Sequence, residues 1–112
     1  MGTGFTFARF AELIGDIAQE QIRNPDKVAE FKQKLTDMRA KFSLIEDGGM
    51  DSLDITEAVM RLEELLVEKE GPRFSDIKLE GKDFDNAKNI GDFYTATCKQ
   101  IKQEPIYEAT AA

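Results

Sequence analysis

Four stretches of this chain repeat apolar residues every three or four positions, and that spacing restricts the fold more than any other feature. Phe7, Phe10, Leu13, Ile14, Ile17 and Ile22 form one stripe of a first helix. Asn24-Pro25-Asp26 interrupts it: Asn24 suits an N-cap, and Pro25 suits the first helical position, where a missing N–H is no loss. Val28, Phe31, Leu35, Met38 and Phe42 then predict a second amphipathic helix from Pro25 to about Lys41. Leu53, Val59, Met60, Leu62, Leu66 and Val67 predict a third over Ser52 to Val67, opened by Asp51 and Ser52 and closed by Gly71-Pro72. Ile90, Phe93, Tyr94, Thr97, Cys98 and Ile101 predict a last helix ending before Pro105. Between them, residues 73–89 show no clean period and read as a long connection, held to the core by Phe74, Ile77, Leu79 and Phe84. With no strand pattern and no repeat, the fold class is all-α. We expect a four-helix bundle in a single domain over residues 1–104, with residues 105–112 as a flexible tail.

The side-chain inventory narrows the chemistry. There is no histidine among the 112 residues, which removes the usual general base, the usual partner of a serine or cysteine nucleophile, and the commonest zinc ligand. Cys98 is the only cysteine, so no internal disulfide forms, and it is expected to lie half-buried on the last helix. Asp47, Asp51 and Asp54 do not have the spacing of a calcium-binding EF-hand loop. The net charge of −7 disfavours nucleic acid and anionic membrane surfaces as partners and favours basic protein surfaces. No apolar run approaches the ~20 residues of a membrane span, and Met1-Gly2-Thr3-Gly4-Phe5 lacks the order of a secretory signal. A cytoplasmic monomer is the expectation.

The charge is concentrated. Residues 1–45, 46–70 and 71–112 carry net charges of +1, −7 and −1, so the middle segment holds the whole excess. Its nine acids are Glu46, Asp47, Asp51, Asp54, Glu57, Glu63, Glu64, Glu68 and Glu70, against Arg61 and Lys69. Within it, the doubled glycine of Glu46-Asp47-Gly48-Gly49 ends regular structure, and Met50-Asp51-Ser52-Leu53-Asp54 opens the third helix. Asp51 and Asp54 have the spacing of a reciprocal cap. A hydroxyl at such a helix start is open to solvent, and the unpaired N–H groups there favour an attached phosphate.

The stretch from Ser43 to Glu64 resembles the carrier-site region of acyl carrier proteins. The shared pattern is an apolar pair (Leu44-Ile45), Glu-Asp, a short glycine loop, Asp-Ser-Leu, then an acidic helix with Glu57, Val59-Met60 and Leu62-Glu63. Asn89-Ile90-Gly91-Asp92-Phe93 is similar to the start of that family's final helix. The resemblance implies 4'-phosphopantetheine carried covalently on Ser52, with Asp51 and Leu53 as signature neighbours. It also implies partner contacts through Asp54, Glu57 and Met60, while Glu63 and Glu64 extend the acidic docking face. The implied partners are a phosphopantetheinyl transferase and acyl-handling enzymes with basic patches. The implied role is non-catalytic: holding acyl or aminoacyl groups as thioesters for fatty-acid, polyketide or another specialised synthesis.

Three departures from the family accompany the match. Gly48 stands where the family usually has leucine, which is expected to loosen the loop before Ser52. The second helix, Pro25 to about Lys41, replaces an irregular connection, so the bundle is acyl-carrier-like with an extra helix before the carrier loop. The connection through Arg73–Lys88 is also longer than usual. If a cavity shelters the acyl chain, Phe10, Ile14, Leu53, Val59, Leu62, Phe93 and Tyr94 are its expected lining. Two other classes stay open: a helical adaptor that works by protein interaction alone, and a small enzyme using carboxylates such as Asp47 and Asp51.

Overall fold

The computed structural model describes residues 5–71, 74–75 and 89–107. Helix α1 spans Phe7–Gln21 and is capped by Thr6, whose hydroxyl accepts the Arg9 N–H at 3.2 Å. Helix α2 spans Pro25–Met38, and Asn24 caps it as its sequence predicts, its Oδ1 accepting the Asp26 N–H at 2.9 Å. Helix α3 spans Ser52–Leu65 and widens into a π-type turn over Leu66–Glu70, three residues past its expected end. Gly71, at φ +111°, terminates it. Helix α4 spans Ile90–Gln100, with the Asn89 side chain accepting the Asp92 N–H at 3.0 Å. No strand occurs among the described residues, so the fold is all-α.

Helix α2 stops earlier than its apolar spacing suggests. At Arg39 the backbone reverses through φ +54° into a short 3₁₀ turn, Arg39–Lys41. The gain lies in Phe42. A continuous helix would place it roughly 16 Å beyond Phe31 along the axis. The reversal instead brings the two ring centroids to 4.8 Å, with Phe42 wholly buried and its carbonyl accepting the Ile90 N–H at 2.8 Å.

One buried cluster joins all four helices, including Phe10, Leu13, Ile14 and Ile17 of α1, Leu62, Leu65 and Leu66 of α3, and Phe93 and Tyr94 of α4. Each such side chain, fully removed from water, contributes about 1.5–3 kcal/mol. Cys98 is completely buried rather than half-buried, because its position on α4 faces the same cluster.

The first residues of the stretch from 105 touch the bundle. Ile106 accepts the Phe7 N–H at 2.9 Å and donates its own N–H to the Tyr94 hydroxyl at 2.8 Å. The Tyr107 ring lies 5.3 Å from Phe7 and 5.5 Å from Tyr94. These contacts pin Ile106 and Tyr107 to the bundle; the rest of the expected tail, 108–112, lies outside the described residues. Of the expected long connection, Phe74 is described and buried against Phe5 at 5.3 Å, whereas 76–88 are outside the described residues. Among the described residues, no helix is long and apolar enough to cross a membrane.

Candidate functional site

The loop before α3 is a closed backbone structure. The N–H groups of Asp47 and Gly48 both donate to the Ser43 carbonyl at 2.9 Å, and Met50 donates to the Leu44 carbonyl at 2.9 Å. The Asp47 carboxylate returns to accept the Ser43 N–H at 2.8 Å, and the Ser43 hydroxyl accepts the Glu46 N–H at 3.1 Å. Leu44 and Met50 are buried and anchor the two ends. Gly49 sits at φ +72°, the left-handed region that a side chain disfavours.

Gly48 does not loosen this loop, contrary to what its sequence position suggests. A Cβ there would fall 2.7 Å from the Leu44 carbonyl oxygen and 2.7 Å from Cε2 of Phe31. The glycine is what lets the loop close and lets the Phe31 ring of α2 press against it. The consequence is a tight turn, reached through a contact with the helix that precedes it.

Helix α3 then starts on a full capping box. The Asp51 side chain accepts the Asp54 N–H at 2.8 Å, and the Asp54 carboxylate accepts the Asp51 N–H at 3.1 Å. This leaves the N–H groups of Ser52 and Leu53 at the head of the helix without intrahelical acceptors. Ser52 is solvent-exposed at the first helical position. Asp47, Asp51 and Asp54 are thus each committed to backbone N–H groups, and no cluster able to hold a metal ion exists among the described residues. The Gln21 amide at the end of α1 donates to the Asp54 carbonyl at 3.4 Å, tying this first turn to the bundle.

The apolar residues of α3 divide between two faces. Ala58, Leu62, Leu65 and Leu66 are buried. Leu53, Met60 and Val67 are 66%, 62% and 42% exposed. Seven residues apart, they stay within about 20° per step of one line on the outer surface. Glu57 and Glu64 flank that line on one side, and Glu63, which is partly buried, lies on the other. Ile45, 59% exposed, lies in the loop that precedes Ser52. Leu53, expected in the lining of an acyl shelter, is thus exposed to solvent.

Charge sorts in the same way. Arg61 reaches α1, where Glu20 accepts from its Nε at 2.9 Å and its Nη2 at 3.0 Å, and it also pairs with Glu64 at 3.2 Å. These carboxylates raise the Arg61 pKa above its ordinary value, and the Arg61 hydrogen bonds hold Glu20 below its own. Lys69 pairs with Asp16 of α1 at 3.1 Å, and Glu70 pairs with Arg9. Both cations of the segment are therefore turned towards α1. The outer face of α3 is left with Glu57, Met60, Leu53 and the exposed hydroxyl of Ser52.

Of the residues expected to line a shelter for an acyl chain, Phe10, Ile14, Leu62, Phe93 and Tyr94 are buried in the core, Val59 is half-buried and Leu53 is exposed. A groove of about 500 Å³ lies between α1 and α2, lined among others by Phe7, Ala11, Gly15, Leu35 and Arg39. No family model matches this chain, and no curated protein or solved structure matches it either.

Proposed function

We propose that the protein is a carrier in which Ser52 holds a 4'-phosphopantetheine arm, loaded with acyl or aminoacyl groups as thioesters. The observation that carries this reading is the placement of Ser52: exposed, at the first position of a capped helix, behind a hydrogen-bonded glycine loop. The residues present fit such an arm. The hydroxyl is accessible to a modifying enzyme, and the Ser52 and Leu53 N–H groups can meet a phosphate oxygen. Asp51 and Asp54 spend their carboxylates on each other's backbone, which fixes where the helix begins and so where the hydroxyl stands. The bound arm would supply a terminal thiol for the thioester; the chain itself contributes attachment and presentation.

The outer face of α3 supplies the second half of a carrier's task. Leu53, Met60 and Val67 give an apolar stripe, and the acids beside it suit a partner with a basic rim. Charge of this kind speeds encounter while permitting fast release. The partners proposed are a phosphopantetheinyl transferase and enzymes that load, modify or unload the cargo, in a cytoplasmic setting and with a monomeric carrier.

Intact-protein mass measured after incubation with coenzyme A and a broad-specificity phosphopantetheinyl transferase tests this. A phosphopantetheine-sized gain on the wild type, absent from Ser52→Ala, is the expected result. No gain with several transferases would sink it. The exposed apolar stripe also serves a second reading, an adaptor that binds partners without an arm. Partner binding that survives Ser52→Ala, in a chain that accepts no arm, would favour the adaptor.

A further inference from the structure

We infer that Phe31 of α2 is a positioning residue for Ser52: its ring is the surface on which the Ser43–Met50 loop rests. The functional half of this rests on the carrier reading of Ser52, whereas the mechanical half does not. The Phe31 ring is 3% exposed and is itself held edge-on by Phe42, at 4.8 Å and 66°. The same ring meets Gly48, where even a single methyl carbon would come within 2.7 Å of Cε2 and 3.3 Å of Cδ2.

The loop's internal hydrogen bonds fix its shape, but they do not fix where it sits on the bundle. Buried side chains hold its two ends, Leu44 and Met50. Between those anchors there is no side chain at position 48 to point inward, and Ile45 faces solvent. A ring donated by α2 fills that place. Met50 is separated from Ser52 by Asp51 alone, so any tilt of the loop carries over to the first turn of α3 and to its exposed hydroxyl. This assigns a task to α2: it braces the loop from outside, where a side chain of the loop could otherwise have braced it from within.

Three variants of the full chain separate positioning from plain stability: Phe31→Ala, Phe31→Leu and Leu35→Ala. Leu35 is the buried residue one turn further along α2, on the groove with α1, and it serves as the control. The readouts are amide exchange at Gly48 and Met50, relative to α1 amides, and kcat and KM for phosphopantetheine transfer from coenzyme A. Phe31→Ala is expected to accelerate exchange at Gly48 and Met50 about tenfold beyond its effect on α1, and to lower transfer kcat/KM about tenfold. Phe31→Leu should recover most of both, and Leu35→Ala should lower Tm without a selective effect on the loop.

Loop exchange no faster in Phe31→Ala than in Leu35→Ala would overturn the brace. Selective loop exchange with unchanged transfer would overturn the positioning of Ser52. Should Phe31→Ala fail to fold, Phe31→Val, which removes the ring but keeps part of its volume, takes its place in the same comparison with Leu35→Ala. A wild-type chain that accepts no arm would remove the carrier reading while the exchange data still decide the brace.

Discussion

Gly48 and Gly49 are neighbours that need to be glycine for different reasons. Gly49 needs its left-handed backbone, at φ +72° with open space where a Cβ would go. Gly48 needs room, because Phe31 and the Leu44 carbonyl occupy the place of a side chain. Gly49→Ala should therefore cost about 1–2 kcal/mol regardless of its surroundings. Gly48→Ala should cost about 1–3 kcal/mol as overpacking. The two separate in double-mutant cycles followed by urea denaturation. Phe31→Leu should relieve part of the Gly48→Ala penalty and simply add to that of Gly49→Ala. Additivity at both positions would contradict the contact between ring and loop. A doubled glycine marks a turn in any sequence, and that much was legible. Which of the two is sterically required depends on a ring many residues upstream, which no local pattern reveals.

Helix α3 shows how an element acquires two faces. Its inward residues pack against α1 and join the common core, and its cations follow, Arg61 to Glu20 and Lys69 to Asp16. The Arg61 hydrogen bonds hold Glu20 below its ordinary carboxylate value of 4.5. Because the folded value is the lower one, the link's contribution is complete above pH 4.5 and is lost as pH falls through the folded value. Thermal melting of the wild type should therefore show a destabilisation on acidification below 4.5 that is shallower in Glu20→Gln. Equal slopes would mean that the pair is too solvated to matter. The same variant releases Arg61 from α1 while leaving it beside Glu64 and Glu68, and should slow association of α3 with a basic partner at low salt, read as a lower association rate. The acidity of this segment was plain in the sequence. The removal of both its cations from the outer surface was not, because it requires α1 alongside.

At the scale of the whole molecule, the two ends of the described chain meet at one hydroxyl. Tyr94 donates to the Phe5 carbonyl at 2.6 Å and accepts the Ile106 N–H at 2.8 Å, inside a group of rings that includes Phe7 and Tyr107. Gln103 supports the same carbonyl through its Nε2 at 2.8 Å. Tyr94→Phe keeps the rings but leaves the Ile106 N–H without its acceptor, at an expected loss of about 1–3 kcal/mol. Chemical denaturation measures that loss. Burial pushes the Tyr94 hydroxyl above its ordinary value of 10.0. A raised folded value means that its stabilisation is intact below pH 10.0 and is lost at higher pH, so alkaline unfolding should ease in Tyr94→Phe. An unchanged alkaline limb would place the sensitive group elsewhere.

Local patterns along the chain set the four helices, two of their capping residues (Asn24 and Asp51), the acidic middle segment and the exposed place of Ser52. Those features are local: apolar period, cap chemistry and charge act within a few residues of where they are written. Long-range packing sets the rest: Gly48 tightens rather than loosens its loop, Leu53 and Val67 face outward, and Ile106 and Tyr107 touch the bundle. Each depends on partners outside its own segment, namely Phe31, the α1 face and Tyr94. Packing at native density leaves room for one arrangement of such partners, and a one-dimensional pattern does not contain it.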